Sequence, residues 1–396
     1  MWDKLNFYLI LSVCCAGCFF SSLNCLAQSS KSEDANLKNP AENASKPTVE
    51  NPEKEDVIRI ETNLIINEVL VFDKKGNPVK DLQISDFTIK ENDKPQEISI
   101  FSFGATESIP RSIVLIIDYS GSQLPYIKTS IEAAKVLVDK ISPLDRMAIV
   151  TDNIKLIQNF TTDKTLLKEK LESLKTSALA GEMGQSRQYS ALMKVLNEMF
   201  TETDYRPIII FQTDGDELGK LKDSQFKNFV PEEERAAFSF EDVITATDKT
   251  RATVYSIIPG IRFFGVPDNE QLERSKKDAL NNELAFSGVL NKPFKPEELK
   301  LSGQFLRARA SWCNRQQSSL NQIAQITGGL TYFLEQPEQA DKVYSEILSG
   351  INVRYLIGYY PTNPTRDGKR RKVSIELSKY PEYKIWGRKT YILEEK

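Results

Sequence analysis

Asp118-Tyr119-Ser120-Gly121-Ser122 and Thr213-Asp214-Gly215-Asp216 are the stretches of this chain whose residue types and spacing could do chemistry. Each directly follows an apolar run, Ile113–Ile117 in the first case and Ile208–Phe211 in the second. Brought to one point, Asp118, Ser120, Ser122 and Asp214 would offer two carboxylates and two hydroxyls. That hard-oxygen set suits one divalent ion, Mg²⁺ or else Mn²⁺ or Ca²⁺. The set is incomplete by itself, so waters or a carboxylate from a partner would finish the shell. The competing reading is that Asp118 and Ser120 cap the following helix and satisfy its free N–H groups.

The rest of the composition narrows the chemistry. No histidine occurs in the 396 residues, which removes Ser-His-Asp and Cys-His nucleophiles, His-held zinc or haem, and any imidazole base. The formal net charge of −3 argues against nucleic acid as a main partner, because no cationic excess exists to collect phosphates. Four of the five cysteines, Cys14, Cys15, Cys18 and Cys25, lie near the N-terminus, and Cys313 stands alone further on.

A site at strand ends needs a sheet to hold it. Ile113–Ile117 and Pro207–Phe211 are continuous apolar runs, the pattern of strands buried on both faces. Met147–Val150 and Ala252–Ile258 read as further strands. Helical spacing marks Pro125–Ile141, the Leu167/Leu171/Leu174 stretch, Tyr189–Met199, Phe240–Lys249, Leu320–Ile326 and Gln339–Ile351. This alternation predicts an α/β fold with a doubly wound, mostly parallel sheet over 110–351, whose ligands sit at the carboxyl ends of its strands. Residues 262–317 break the rhythm and read as a partly helical insertion over one end. Residues 57–105 and 353–396 have the short strands and frequent turns of antiparallel β structure, with Ile385–Ile392 as the last strand. Lys369-Arg370-Arg371-Lys372 reads as a solvated hairpin tip.

At the N-terminus, an apolar run from Phe7 to Phe20 follows Lys4 and leads to Cys25-Leu26-Ala27, which predicts a secretory signal peptide over 1–27. The run is short for a permanent membrane span. A lipid attached at Cys18 is the second option. The expected location is therefore secreted, periplasmic or in the cell envelope, with no stable span once the signal is cut. Residues 28–56 are polar and read as a disordered linker.

Ile113–Ser122 resembles the start of a von Willebrand factor type A domain with its metal-ion-dependent adhesion site, and Arg206–Gly215 resembles the second acidic loop of that family. Asp145–Val150 and Ile326–Gly329 are similar to further type A segments. More narrowly, the layout resembles exported bacterial "VWFA-related" proteins, notably those of acidobacteria. There a segment like Asn77–Gln96 precedes the type A domain and one like Tyr355–Lys389 follows it. The resemblance implies a metal held by Asp118, Ser120, Ser122 and Asp214, with Ser186 at the place of the family's usual Thr. The sequence around Ser186 departs from the usual Gly-Gly-Thr-Ala-Leu-Tyr. It also implies that 57–105 and 353–396 form one β-sandwich into which the type A domain is inserted.

Three functions follow as expectations. The first is an exported binding protein, not an enzyme, whose metal grips an Asp or Glu of an unidentified protein partner. The second is a structural module with a degenerate metal site, suggested by the altered loop at Ser186. The third is a Mg²⁺-dependent phosphatase-like enzyme with Asp118 as nucleophile, although Ser120 stands where those enzymes resemble each other in having a second acid.

Overall fold

The computed structural model describes residues 64–104, 110–201 and 205–395. The expected signal peptide, the linker and residues 57–63 of the first β segment lie outside them. The described residues open with four strands, β1 (Ile65–Phe72), β2 (Phe87–Glu91), β3 (Lys94–Gln96) and β4 (Ile98–Phe103). It then builds the wound unit from β5 (Arg111–Ile117), α1 (Ile127–Lys140), β6 (Arg146–Thr151), β7 (Leu156–Thr161), α2 (Lys164–Leu179) and α3 (Gln188–Glu198). The unit continues with β8 (Arg206–Gln212), α4 (Phe240–Thr250), β9 (Thr253–Pro259), α5 (Asp268–Val289), α6 (Gly303–Thr327), β10 (Thr331–Leu334) and α7 (Ala340–Asn352). Strands β11 (Tyr355–Tyr359), β12 (Arg370–Leu377), β13 (Lys384–Trp386) and β14 (Thr390–Ile392) close the chain.

The central sheet runs β10-β9-β8-β5-β6-β7, parallel throughout except for β7 at one edge. Alternate residues of β5 face opposite layers. Ile113, Leu115 and Ile117 pack on α1, α2 and α7, while Val114 and Ile116 pack on α3, α4 and α6. That two-sided burial is why the strand is apolar at every position from Ile113 to Ile117. The chain winds outward from β5 through β6 to β7, then crosses back to β8, β9 and β10. The order therefore reverses between β5 and β8, the place where open α/β sheets form a crevice for ligands.

The two flanking segments share two antiparallel sheets, β13-β1-β11-β4 and β14-β12-β2-β3, around a core that includes Val69, Phe87, Ile89, Tyr355, Ile357 and Tyr391. Neither segment could cover an apolar face alone, since isolated hairpins are marginal in water. Among the described residues no helix is long and apolar enough to cross a membrane.

Three details differ from expectation. The helix expected over Leu320–Ile326 is the end of one long helix starting at Gly303, so the expected insertion 262–317 ends inside an element and not at a boundary. Buried Arg309, Gln316 and Gln317 hid its periodicity. The last expected strand, Ile385–Ile392, is two strands, because β13 pairs with β1 and β14 with β12 in the other sheet. The basic cluster is only partly a solvated tip, since Lys369 and Lys372 are exposed but the two arginines are engaged. Arg371 is buried on Glu91 at 3.1 Å, and Arg370 reaches Asp248 at 2.5 Å and also Glu241.

Candidate metal centre

Asp118 follows β5 directly, and its N–H donates to Gln212 of β8 at 3.0 Å, which ties the two strand ends together. Its Oδ1 accepts the Ser120 N–H at 2.9 Å. Its Oδ2 accepts the Thr213 hydroxyl at 2.7 Å and the Gln188 amide at 2.8 Å. Ser120 and Ser122 hold their hydroxyl oxygens 3.2 Å apart, and these hydroxyls act on Asp118 and Asp214 respectively. Gly215 makes the turn of the second loop at φ +78°, a conformation in which a side chain is strained. That turn brings the Asp216 carboxylate back beside its neighbours. Carboxylate oxygens of Asp118, Asp214 and Asp216 lie within 4.8 Å of one another.

Four of the five sequence-derived residues thus meet at the β5/β8 crevice. Ser186 is tied to the neighbouring loop through its backbone. It sits at φ +53° and turns its N–H to Asp152 Oδ2 at 2.8 Å. Reading the sequence missed three groups. Asp216 sits one residue beyond Asp214-Gly215. Asp152 is fully buried at the end of β6 and accepts N–H groups from Tyr119 and Ser186. A third strand ending in an acid was a legible signal. Gln188 carried none, yet its Nε2 bridges Asp118 and Asp216 at 2.8 and 2.5 Å while its Oε1 accepts the Glu217 N–H at 3.1 Å. Gly184 is equally specific, because a Cβ there would lie 2.1 Å from an Asp152 oxygen.

The electrostatics agree with the geometry. Burial, then the Asp216 charge, pushes the Asp118 carboxyl up to about 6. Burial and the carboxylates of Asp216 and Asp118 hold Asp214 well above the usual carboxylate range, and burial and Asp118 do the same to Asp152. None of Asp118, Asp214 and Asp216 forms an ion pair with Lys or Arg among the described residues. A dication would relieve this repulsion, and the donor set is all oxygen, so the residues fit such an ion. Beside Asp214, the buried Gln123 donates its Nε2–H at 2.7 Å, while its Oε1 has no partner. A cavity of about 50 Å³ opens there, with Ser122, Asp214 and Asp216 on one wall and Asp278, Asn282 and Arg309 of the α5–α6 pair on the other.

No protein-family model matches the sequence, and no curated protein matches it. Solved structures do. BatB of Bacteroides thetaiotaomicron matches at 13% identity and a TM-score of 0.37, over 61% of this chain and 98% of that one. Proximal thread matrix protein 1 from the mussel byssus, with a zinc-occupied MIDAS motif, matches at 13% and 0.36, over 61% and 48%. The vWF domain of the type V pilus tip protein Mfa5 from Porphyromonas gingivalis matches at 13% and 0.33, over 61% and 96%. Likeness at this level says nothing about chemistry, so function rests on the loops themselves.

Proposed function

We propose that this chain is an exported binding module of the von Willebrand factor type A kind, which holds an acidic residue of a protein partner through one divalent ion. The observation that carries the reading is the cluster of buried Asp118 with half-buried Asp214 and Asp216, without a Lys or Arg ion pair among the described residues, at the reversal point of the sheet. Asp118, Ser120, Ser122, Asp214 and Asp216 would hold the ion, with Ser186 as an outlying candidate. The ion supplies a positive charge with open positions for a carboxylate. The chain's own part is to fix the oxygens. Thr213 and the Ser120 N–H orient Asp118, Gln123 orients Asp214, and Asp152 braces the loop around Ser186. The α5–α6 pair walls the site and would select which acidic side chains enter. No nucleophile or proton shuttle is needed, and Ser120 denies a phosphatase its second acid. The expected export route places the module in the periplasm or envelope, or outside the cell.

Calorimetric titration of the full chain with Mn²⁺ and Mg²⁺ tests this. One site is expected in the wild type and none in Asp118→Ala or Asp214→Ala, and capture of the partner from envelope extract is expected to stop with chelator. One observation favours a structural module instead: the Gln188 amide already bridges two of the acids. No heat and no melting shift with either metal would decide for that reading.

A further inference from the structure

At the opposite end of the central sheet, where β8 and β9 begin, a cavity of about 490 Å³ lies between the wound unit and strands β1 and β11. Its volume is within the range of roughly 300–1,000 Å³ of ordinary small-molecule pockets, and junctions between structural units are where such pockets concentrate. Leu64, Ile66, Leu356 and Phe200 supply apolar wall, and Ile66 is 44% exposed although it sits in a strand. Arg251 and Arg388 supply charge. The third arginine of the lining, Arg206, is neutralised by Glu68.

Neither of the two remaining cations has an ion pair among the described residues. Arg388 is buried and, among the described residues, its side chain donates to the Thr247 and Ala252 carbonyls alone, at 3.2 and 2.6 Å. Among the described residues Arg251 makes no side-chain hydrogen bond, and it rests over the Tyr391 ring at 5.7 Å. Among the described residues neither has a carboxylate within ion-pair distance. Two acids act on Arg388 from beyond ion-pair distance, and both are engaged elsewhere: Asp248 by Arg370 and Thr390, and Glu68, which also lines the cavity, by Arg206. Arg251 also caps α4 at φ +58°, where glycine is the ordinary residue, so a guanidinium is kept at this rim against backbone preference. Burial lowers both guanidinium pKa values, and burial with the charge of Arg251 brings Arg388 to about 10. A bound anion would offset all of these effects.

We propose that this cavity binds a small amphiphilic carboxylate, with its head between Arg251 and Arg388 and its hydrocarbon against Ile66, Leu356 and Phe200. Guanidinium groups suit a carboxylate because their paired N–H donors match its two oxygens. The test is calorimetric titration of the full chain with octanoate, 1-octanol and acetate. Octanoate binds, and the alcohol and acetate each bind at least about ten-fold more weakly, since each lacks one half of the recognition. Arg251→Gln and Ile66→Asp, both at solvent-accessible positions, each weaken octanoate at least about five-fold while leaving the melting temperature without ligand and the Mn²⁺ titration unchanged. Equal binding of octanol and octanoate, full affinity in both variants, or no heat from octanoate would overturn the proposal.

Discussion

Gln188 sets the balance of the candidate site, because its amide occupies the space between Asp118 and Asp216 that a cation would share. Gln188→Ala is expected to tighten Mn²⁺ binding several-fold, measured by calorimetry; unchanged or weaker binding would mean that the amide does not compete. The acids also set a pH dependence. In the folded chain Asp118 titrates at about 6, against roughly 3.9 in an unfolded one, and Asp152 and Asp214 are shifted in the same direction. The folded state therefore holds more protons, so the contribution of these acids to metal-free stability is full below the unfolded values and is lost as pH rises towards about 6. Carboxylates held low by partners, such as Glu132 and Glu172, lose their contribution only at lower pH and do not mask this. Urea midpoints across that window are expected to decline without metal and to rise with saturating Mn²⁺; a flat metal-free profile would contradict the assignment. Asp118, Ser120, Ser122 and Asp214 were legible because each follows a strand end, where position narrows role. Gln188 was not, because an amide that bridges acids looks in sequence like any polar first-turn residue.

At the scale of elements, the start of β5 is pinned by a buried ion pair. Arg111 donates to Asp145 through Nε at 2.8 Å and Nη2 at 2.6 Å, and both side chains are almost wholly inaccessible. Asp145→Ala would leave the guanidinium buried and uncompensated, so a loss of about 3–5 kcal/mol is expected, read from urea unfolding. A loss below about 1 kcal/mol would show that water reaches Arg111 in its place. The strands of the wound unit were legible because β5, β8 and β9 are apolar at successive positions, and α1 and α3 because their buried faces follow helical spacing. α6 was not, because its buried face carries Arg309, Gln316 and Gln317, each spent on a specific partner or on the cavity wall. Arg370 and Arg371 misled for a similar reason. Their partners, Asp248 and Glu91, are more than 100 residues away in sequence and meet them only after folding.

At the scale of the molecule, Arg354 joins the two units. Its buried guanidinium donates to Gly350 O at 2.7 Å and Tyr255 Oη at 2.8 Å in the wound unit, and to Glu68 O at 3.0 Å in the β unit. Arg354→Ala strands these three groups and is expected to cost about 3 kcal/mol or more, splitting one calorimetric transition into two. A single transition at the wild-type temperature would mean that the units are held by other contacts. The flanking sheets were legible as short strands and turns, but their pairing was not, since residues such as Ile66 and Gly358 become neighbours across nearly the whole chain. That pairing has a mechanical consequence. The chain leaves the β unit after β4 and re-enters it at β11, and Phe103 and Tyr355 are paired neighbours, so the two covalent crossings lie side by side. Tension between a ligand at Asp118 and an anchor N-terminal to β1 is then shared by two peptide strands. Because β1 runs antiparallel to β11, with Ile65 opposite Tyr359 and Val69 opposite Tyr355, the load pulls the pair lengthwise. Its hydrogen bonds are strained together in shear and do not unzip one at a time.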